Sequence, residues 1–240
     1  MVLHNLIFAG KQSKDYGLFI SGGGTYNAPE RDVTTISIPG RNGDMVLDNG
    51  RWSNISVSYP AFIVHNFRKN AEAVRAWIAG AIGYQRLEDD YHPDFYRLAR
   101  YSGNIDWDMA ALNIAGQTTL TFDCKPQRFL KLGERPIEIS QATTITNQWQ
   151  TSLPLITIWG SGAASFTINS NTIQISNIPT NIVLDCDVQS AYSLSGLDNL
   201  NDLITLPPSG DFLSFARGDN QISFTGNITK IEIVPRWWTL

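Results

Sequence analysis

Between positions 152 and 234 the chain breaks into short β-rich runs at nearly even spacing: 152–159 (SLPLITIW), 164–168, 172–176, 182–187, 212–215, 221–225 and 228–234. Turn-forming residues stand between them, among them Gly160 and Gly162, Asn169 and Asn171, Pro207 and Gly210, and Gly218 and Asn220. β-branched residues suit a pleated surface, whereas Gly, Asn and Pro supply the dihedrals of tight turns. Several strands at short spacing with no helical periodicity predict an antiparallel β-sandwich for this half.

The first half is mixed. Segments 15–20, 34–38, 55–64 and 112–124 alternate or carry β-branched residues, as half-buried strands do. Among them Phe67, Ala71, Val74, Trp77 and Ile78 recur at helical spacing, while Arg68, Lys69, Glu72 and Arg75 fall on the opposite face. Asn66 is placed to cap this helix, and Gly80 and Gly83 end it. Such a stripe reports burial, so the helix is expected to pack on a sheet. Residues 125–136 (KPQRFLKLGERP), a charged stretch bracketed by prolines, read as a linker. The fold class is therefore mainly β with one helix, in two domains, 1–131 and 132–240. Charge divides the same way: the first holds 14 Lys/Arg and 13 Asp/Glu, the second 4 and 9.

The 42% apolar content and net charge of −4 are those of a globular chain, which excludes intrinsic disorder. An acidic balance without a Lys/Arg cluster lacks the footprint of a nucleic-acid binder. Two cysteines, Cys124 and Cys186, make neither a disulfide framework nor a thiolate zinc site. His4 and Asn5 interrupt the short apolar N-terminal stretch, so no signal peptide is expected. No run reaches the roughly 20 apolar residues of a spanning helix. These features fit a protein made in a reducing cytoplasm.

No catalytic constellation is visible. His4, His65 and His92 sit near different elements without metal-ligand spacing. Glu88, Asp89, Asp90, His92 and Asp94 form the densest acidic group, but EF-hand spacing is absent and a solvated loop after the helix is the expectation. Gly22 to Gly24 opens no helix, and the Gly160, Ser161, Gly162 stretch lacks a nucleophile elbow. A glycoside hydrolase would need a carboxylate pair that cannot be nominated. Trp149, Trp159, Trp237 and Trp238 allow sugar stacking or, as is usual in a small sandwich, a core role. Both cysteines are expected to be buried and inert. No catalytic residue, cofactor site or metal site is assigned.

Turn chemistry stands out instead. Pro39, Gly40, Arg41, Asn42, Gly43 and Asp44, followed by Asp48, Asn49, Gly50, Arg51 and Trp52, form a Gly/Asn/Asp-rich excursion between two strand patterns. A long projecting hairpin results. It is either a solvent loop or a contact to a neighbouring subunit, with Arg41, Asn42, Gly43, Asp44, Asp48, Asn49, Arg51 and Trp52 as the candidate interface residues.

The chain resembles the distal tail proteins of long-tailed, non-contractile bacteriophages. The residues that carry this are 13–18 (SKDYGL), 38–44 (IPGRNGD) with 48–50 (DNG), and Trp77 followed by 83–97 (GYQRLEDDYHPDFYR). They continue with 122–126 (FDCKP), 184–186 (LDC), 218–222 (GDNQI), 225–226 (TG) and 235–238 (PRWW), in order along the whole length. The resemblance implies an N-terminal ring-forming domain, six copies of which close around a channel, and a galectin-like C-terminal sandwich pointing outward. It further implies a homohexamer in the virion tail tip that meets the major tail-tube protein, a tail-associated tip protein, and receptor-binding or baseplate proteins. DNA would pass through the lumen without specific binding. No reaction, cofactor or membrane contact is implied. The alternative is a carbohydrate-binding module that attaches the virion to host cell-wall polysaccharide.

Overall fold

The computed structural model describes residues 3–110 and 114–240, with Ala110 described by its backbone alone. The chain is mostly strand, with one α-helix among the described residues. It divides into two compact units, Met1–Arg128 with Leu240, and Phe129–Thr239.

The first unit contains β1 (Leu6–Phe8), β2 (Lys11–Gln12), β3 (Leu18–Ile20), β4 (Arg31–Ile36), β5 (Met45–Trp52), β6 (Ile55–Ile63), α1 (Phe67–Ala79), β7 (Gln85–Asp89), β8 (Phe95–Tyr101), β9 (Asp108–Ala110) and β10 (Ala115–Leu130), the last of which runs on past Arg128. Its main sheet is ordered β2-β1-β7-β8-β10-β6-β3, with β9 also on β10. β6 alternates buried and exposed along its length, as period-two sequence requires of a strand with one face on a core. Gly116 to Cys124 of β10 pairs antiparallel with Ile63 to Ile55 of β6. The expected strand at 112–124 begins at Ala115; Leu112 and Asn113 lie outside the described residues. Segment 15–20 is half strand: Ser13–Tyr16 is a 3-10 turn that Gly17, at φ +65°, closes before β3.

The helix buries Phe67, Ala71, Val74, Trp77 and Ile78, the residues its sequence period selects. They join Leu6, Phe8, Val57, Tyr59, Ile63, Leu120 and Phe122 in one core. Trp77 donates its indole N–H to the Phe8 carbonyl at 2.9 Å and stacks on Tyr16 at 4.9 Å. Asn66 occupies the cap position at φ +51°, but its side chain makes no capping bond; Asn70 instead donates to the His65 carbonyl at 3.0 Å.

The second unit contains β11 (Ile137–Ile139), β12 (Thr143–Asn147), β13 (Leu155–Ile168), β14 (Asn171–Ile178), β15 (Asn181–Asp185), β16 (Ser190–Tyr192), β17 (Ile204–Thr205), β18 (Gly218–Val234) and β19 (Trp238–Thr239). Its pairings are antiparallel, in the order β11-β18-β13-β14-β17, with β12 on β18 and β15 between β13 and β16. Gly160 and Gly162, read from sequence as a turn between strands, lie inside the continuous β13, and Gly226 lies inside β18. These two long strands pair along most of their length with register shifts at Trp159/Gly160 and Ser161/Ala164. Bulges bend the ribbon there, so the first half of β13 takes β15 as its other neighbour and the second half takes β14. Residues 212–215 are not a strand; Phe215 makes a single bridge to Ser152. The stretch read as a linker is the end of β10 followed by a 3-10 turn, Lys131–Glu134.

Candidate interaction surface

β4 and β5 form a two-stranded sheet of their own, outside the main sheet of the first unit. The register pairs Ile36 with Met45, Thr35 with Val46, Thr34 with Leu47 and Val33 with Asp48. Arg41, Asn42, Gly43 and Asp44 make the tip, where Gly40 and Gly43 take φ near +80° and the Arg41 N–H closes on the Ile38 carbonyl at 3.1 Å. Asp48, Asn49, Arg51 and Trp52, read from sequence as part of the turn-rich excursion, lie in the returning strand. The Asn-Gly pair serves a bulge there, since Gly50 at φ +75° donates to Asp48 Oδ1 at 2.8 Å and the register slips between Arg31 and Val33.

The bulge is held by polar contacts. Arg31 grips Asp48 with two nitrogens, at 2.9 and 2.7 Å, and its guanidinium lies 4.9 Å from the centre of the Trp52 ring. Asp32 accepts from Asn49 at 2.9 Å and from Arg51 at 2.5 Å. The Arg31 hydrogen bonds hold the Asp48 carboxyl below the usual carboxylate range, and Asn49, then Arg51, do the same for Asp32.

Beyond this polar base the ribbon is apolar and bare. Directly opposed residues share a face in an antiparallel pair. Val33 and Val46 therefore lie on one side, and Ile36, Met45 and Leu47 on the other; Val46 is 59% exposed, and Met45 and Leu47 45% each. A two-stranded hairpin is marginal in water by itself. One that presents aliphatic side chains on both faces is suited to being covered on both. The sequence signal for this was the apolar run Met45, Val46 and Leu47 just after the turn, with Val33 and Ile36 before it, which turn chemistry obscured.

The remaining candidate residues resolve into structural roles. The acidic group is not a solvated loop: Gln85–Asp89 is strand β7, Asp89 accepts from the Tyr59 hydroxyl at 2.7 Å and the His92 N–H at 2.8 Å, and Asp90 accepts from the Asn5 N–H at 2.6 Å. His4 packs on Tyr91 at 4.4 Å and His65 is exposed. Among the described residues no three His, Cys, Asp or Glu side chains converge as a metal site would need. Burial pushes the thiols of Cys124 and Cys186 up to about 12, which leaves both protonated and unreactive at neutral pH. Trp237 is buried against Phe215 at 5.3 Å, Trp238 donates to the Thr151 carbonyl at 2.9 Å, and Lys230 lies over the Trp159 ring at 5.2 Å. Among the described residues no helix is long and apolar enough to cross a membrane.

The first unit is a helix-backed sheet carrying an apolar two-stranded ribbon, and the second is built on two long bent strands, β13 and β18. The chain has the fold of a phage distal tail hub protein. The Dit protein of phage SPP1, described as a paradigm of the hub adsorption apparatus in phages that infect Gram-positive hosts, superimposes with a TM-score of 0.76 at 12% identity, over 100% of both chains. A chain of the phage P2 baseplate in its activated conformation with calcium gives a TM-score of 0.56 at 10% identity, over 100% of this chain and 99% of that one. The same baseplate with strontium gives 0.51 at 9% identity, over 97% of each. No protein-family model and no curated protein sequence matches the chain.

Proposed function

We infer that the protein is a structural component of a bacteriophage tail tip, in which six copies close into a ring that joins the tail tube to the tip and receptor-binding apparatus. The observation that carries this reading is the ribbon of β4 and β5, apolar on both faces and, among the described residues, paired with no other strand, within a chain that matches a hub protein over its full length. Cyclic closure uses a heterologous contact, in which one patch meets a different patch on the next copy. The ribbon supplies one side of that contact, with Arg41, Asn42, Gly43 and Asp44 at its leading end. The first unit forms the ring and the second serves as a docking platform. The near-neutral balance of residues 1–131, 14 Lys/Arg against 13 Asp/Glu, gives a conduit lined by the first unit no strong positive field to retain DNA. The role is assembly and conduction, with no reaction catalysed.

Light scattering and negative-stain imaging of the full chain, alone and with its tail-tube protein, test the reading. Rings with about six times the 26.7 kDa chain mass are expected. A monomer at every concentration, with no ring when the tube protein is added, overturns it.

A further inference from the structure

A second polar cluster, inside the first unit, is short of negative charge. A cavity of about 20 Å³ is lined by residues that include Asp89, His92, Phe95, Arg97 and Arg128. Arg97 is only 8% exposed, and its Nη1 is buried without a hydrogen-bond partner; the same is true of His92 Nε2. No carboxylate pairs with Arg97 or Arg128 among the described residues.

The neighbouring groups that could pair directly with Arg97 have their oxygens hydrogen-bonded elsewhere or are uncharged. The Asp89 carboxylate takes the Tyr59 hydroxyl on Oδ2 and both the backbone N–H and the Nδ1 of His92 on Oδ1. Glu88 is held by Arg86, whose guanidinium also stacks on Tyr96 at 3.8 Å. The Cys124 thiol, pushed up to about 12 by burial, and the Tyr59 hydroxyl, pushed up further, are both neutral. Arg128 rests on the Phe95 ring at 4.5 Å. With Glu88 paired to Arg86, the lining holds two arginines, Arg97 and Arg128, beside one remaining carboxylate, Asp89, an excess of one positive charge around the cavity. A buried cation without a counter-charge is costly, and a buried N–H without an acceptor adds to that cost.

We propose that this cavity binds one monovalent, halide-sized anion, which accepts from Arg97 Nη1 and balances the local excess. The volume admits a single water-sized species and excludes a carboxylate side chain or a phosphate. A water would satisfy the donors and leave the charge uncorrected, so charge selects the anion. Its effect is to lock β7, β8 and the distal part of β10 around Arg97.

Crystals of the full chain soaked in sodium bromide, measured at the bromine edge, test this directly. An anomalous peak within hydrogen-bonding distance of Arg97 Nη1 supports the site. A water there without anomalous signal, or an empty cavity, overturns it. In solution, the melting temperature in sodium chloride should exceed that in sodium gluconate of equal ionic strength by about 2–4 °C. Arg97→Met should abolish the difference, and a folded Arg97→Met that retains it overturns the proposal. Should that variant not fold, Arg128→Met, which removes the less buried guanidinium, should shrink the difference, and an undiminished one counts against the site.

Discussion

Arg236 clamps Asp185 across 51 residues of sequence, its Nη1 and Nη2 donating to Oδ1 and Oδ2 at 2.6 and 3.0 Å. Asp185 also accepts from the backbone N–H of Asp187 at 3.1 Å. Arg236 reaches this geometry at φ +54°, two residues past the end of β18, so the clamp ties the end of that strand to the end of β15. Burial by itself would push the Asp185 carboxyl up; the Arg236 hydrogen bonds and charge, with the two backbone donors, outweigh it and hold the group below the ordinary range.

A depressed carboxyl stabilises the fold fully above its unfolded value near 3.9, and that contribution is lost as pH falls through the folded value below it. Arg236→Ala is expected to destabilise the second unit by about 2–4 kcal/mol at pH 7, because it leaves a buried carboxylate unpaired. The gap between variant and wild type should close as pH is lowered from 5 toward 2. Urea titrations followed by tryptophan fluorescence at several pH values measure it. A gap independent of pH would show that the clamp acts by packing alone.

The ribbon offers a cleaner separation of stability from assembly. Val46 and Leu47 are exposed on opposite faces and support no core of their own chain. Val46→Asp and Leu47→Asp should each leave the monomer's melting temperature within about 2 °C of wild type. Each should abolish ring formation in light scattering, alone or with the tube protein. A ring that survives both substitutions would place the subunit contact elsewhere.

What sequence could and could not disclose follows from how far each signal reaches. Helix α1 was legible to the residue, because Phe67, Ala71, Val74, Trp77 and Ile78 record burial in their own spacing. The mainly β character of the second unit was equally plain. The continuity of β13 and β18 was not, since a glycine inside a bent strand reads like a glycine in a turn, and only the partner strand distinguishes them. The same ambiguity turned Asp48 to Trp52, a bulged strand, into an apparent loop. The Asp89 network was invisible because its main donor, Tyr59, lies 30 residues away. The exposed apolar faces of the ribbon needed the structure, because an apolar run such as Met45 to Leu47 predicts burial within its own chain, and in the proposed ring the covering partner is another copy.

The two cysteines give a simple probe of core integrity. Both are buried and free, with thiols pushed up to about 12 by desolvation. In native protein at pH 8 neither should react with a thiol reagent over an hour, and both should react within minutes in guanidinium chloride. Fast labelling of one thiol in the native state would reveal local opening of the unit that holds it.

The glycines of the bent ribbon make the sharpest prediction about the second unit. Gly226 takes φ +106°, and a methyl there would lie 2.6 Å from the Ala163 carbonyl oxygen and 2.8 Å from Ala164 Cα. Gly160 has an ordinary φ, yet a methyl there would lie 2.3 Å from the Asn227 carbonyl oxygen. Gly162, at φ +74°, has open space around it. Gly162→Ala therefore carries backbone strain alone, about 1 kcal/mol. Gly160→Ala carries backbone overlap alone, and Gly226→Ala carries both, so each should cost about 2–4 kcal/mol, with Gly226→Ala the more severe. Chemical denaturation of the three variants ranks them. If Gly162→Ala proved as damaging as Gly226→Ala, the close crossing of β13 and β18 would not be what these glycines are for.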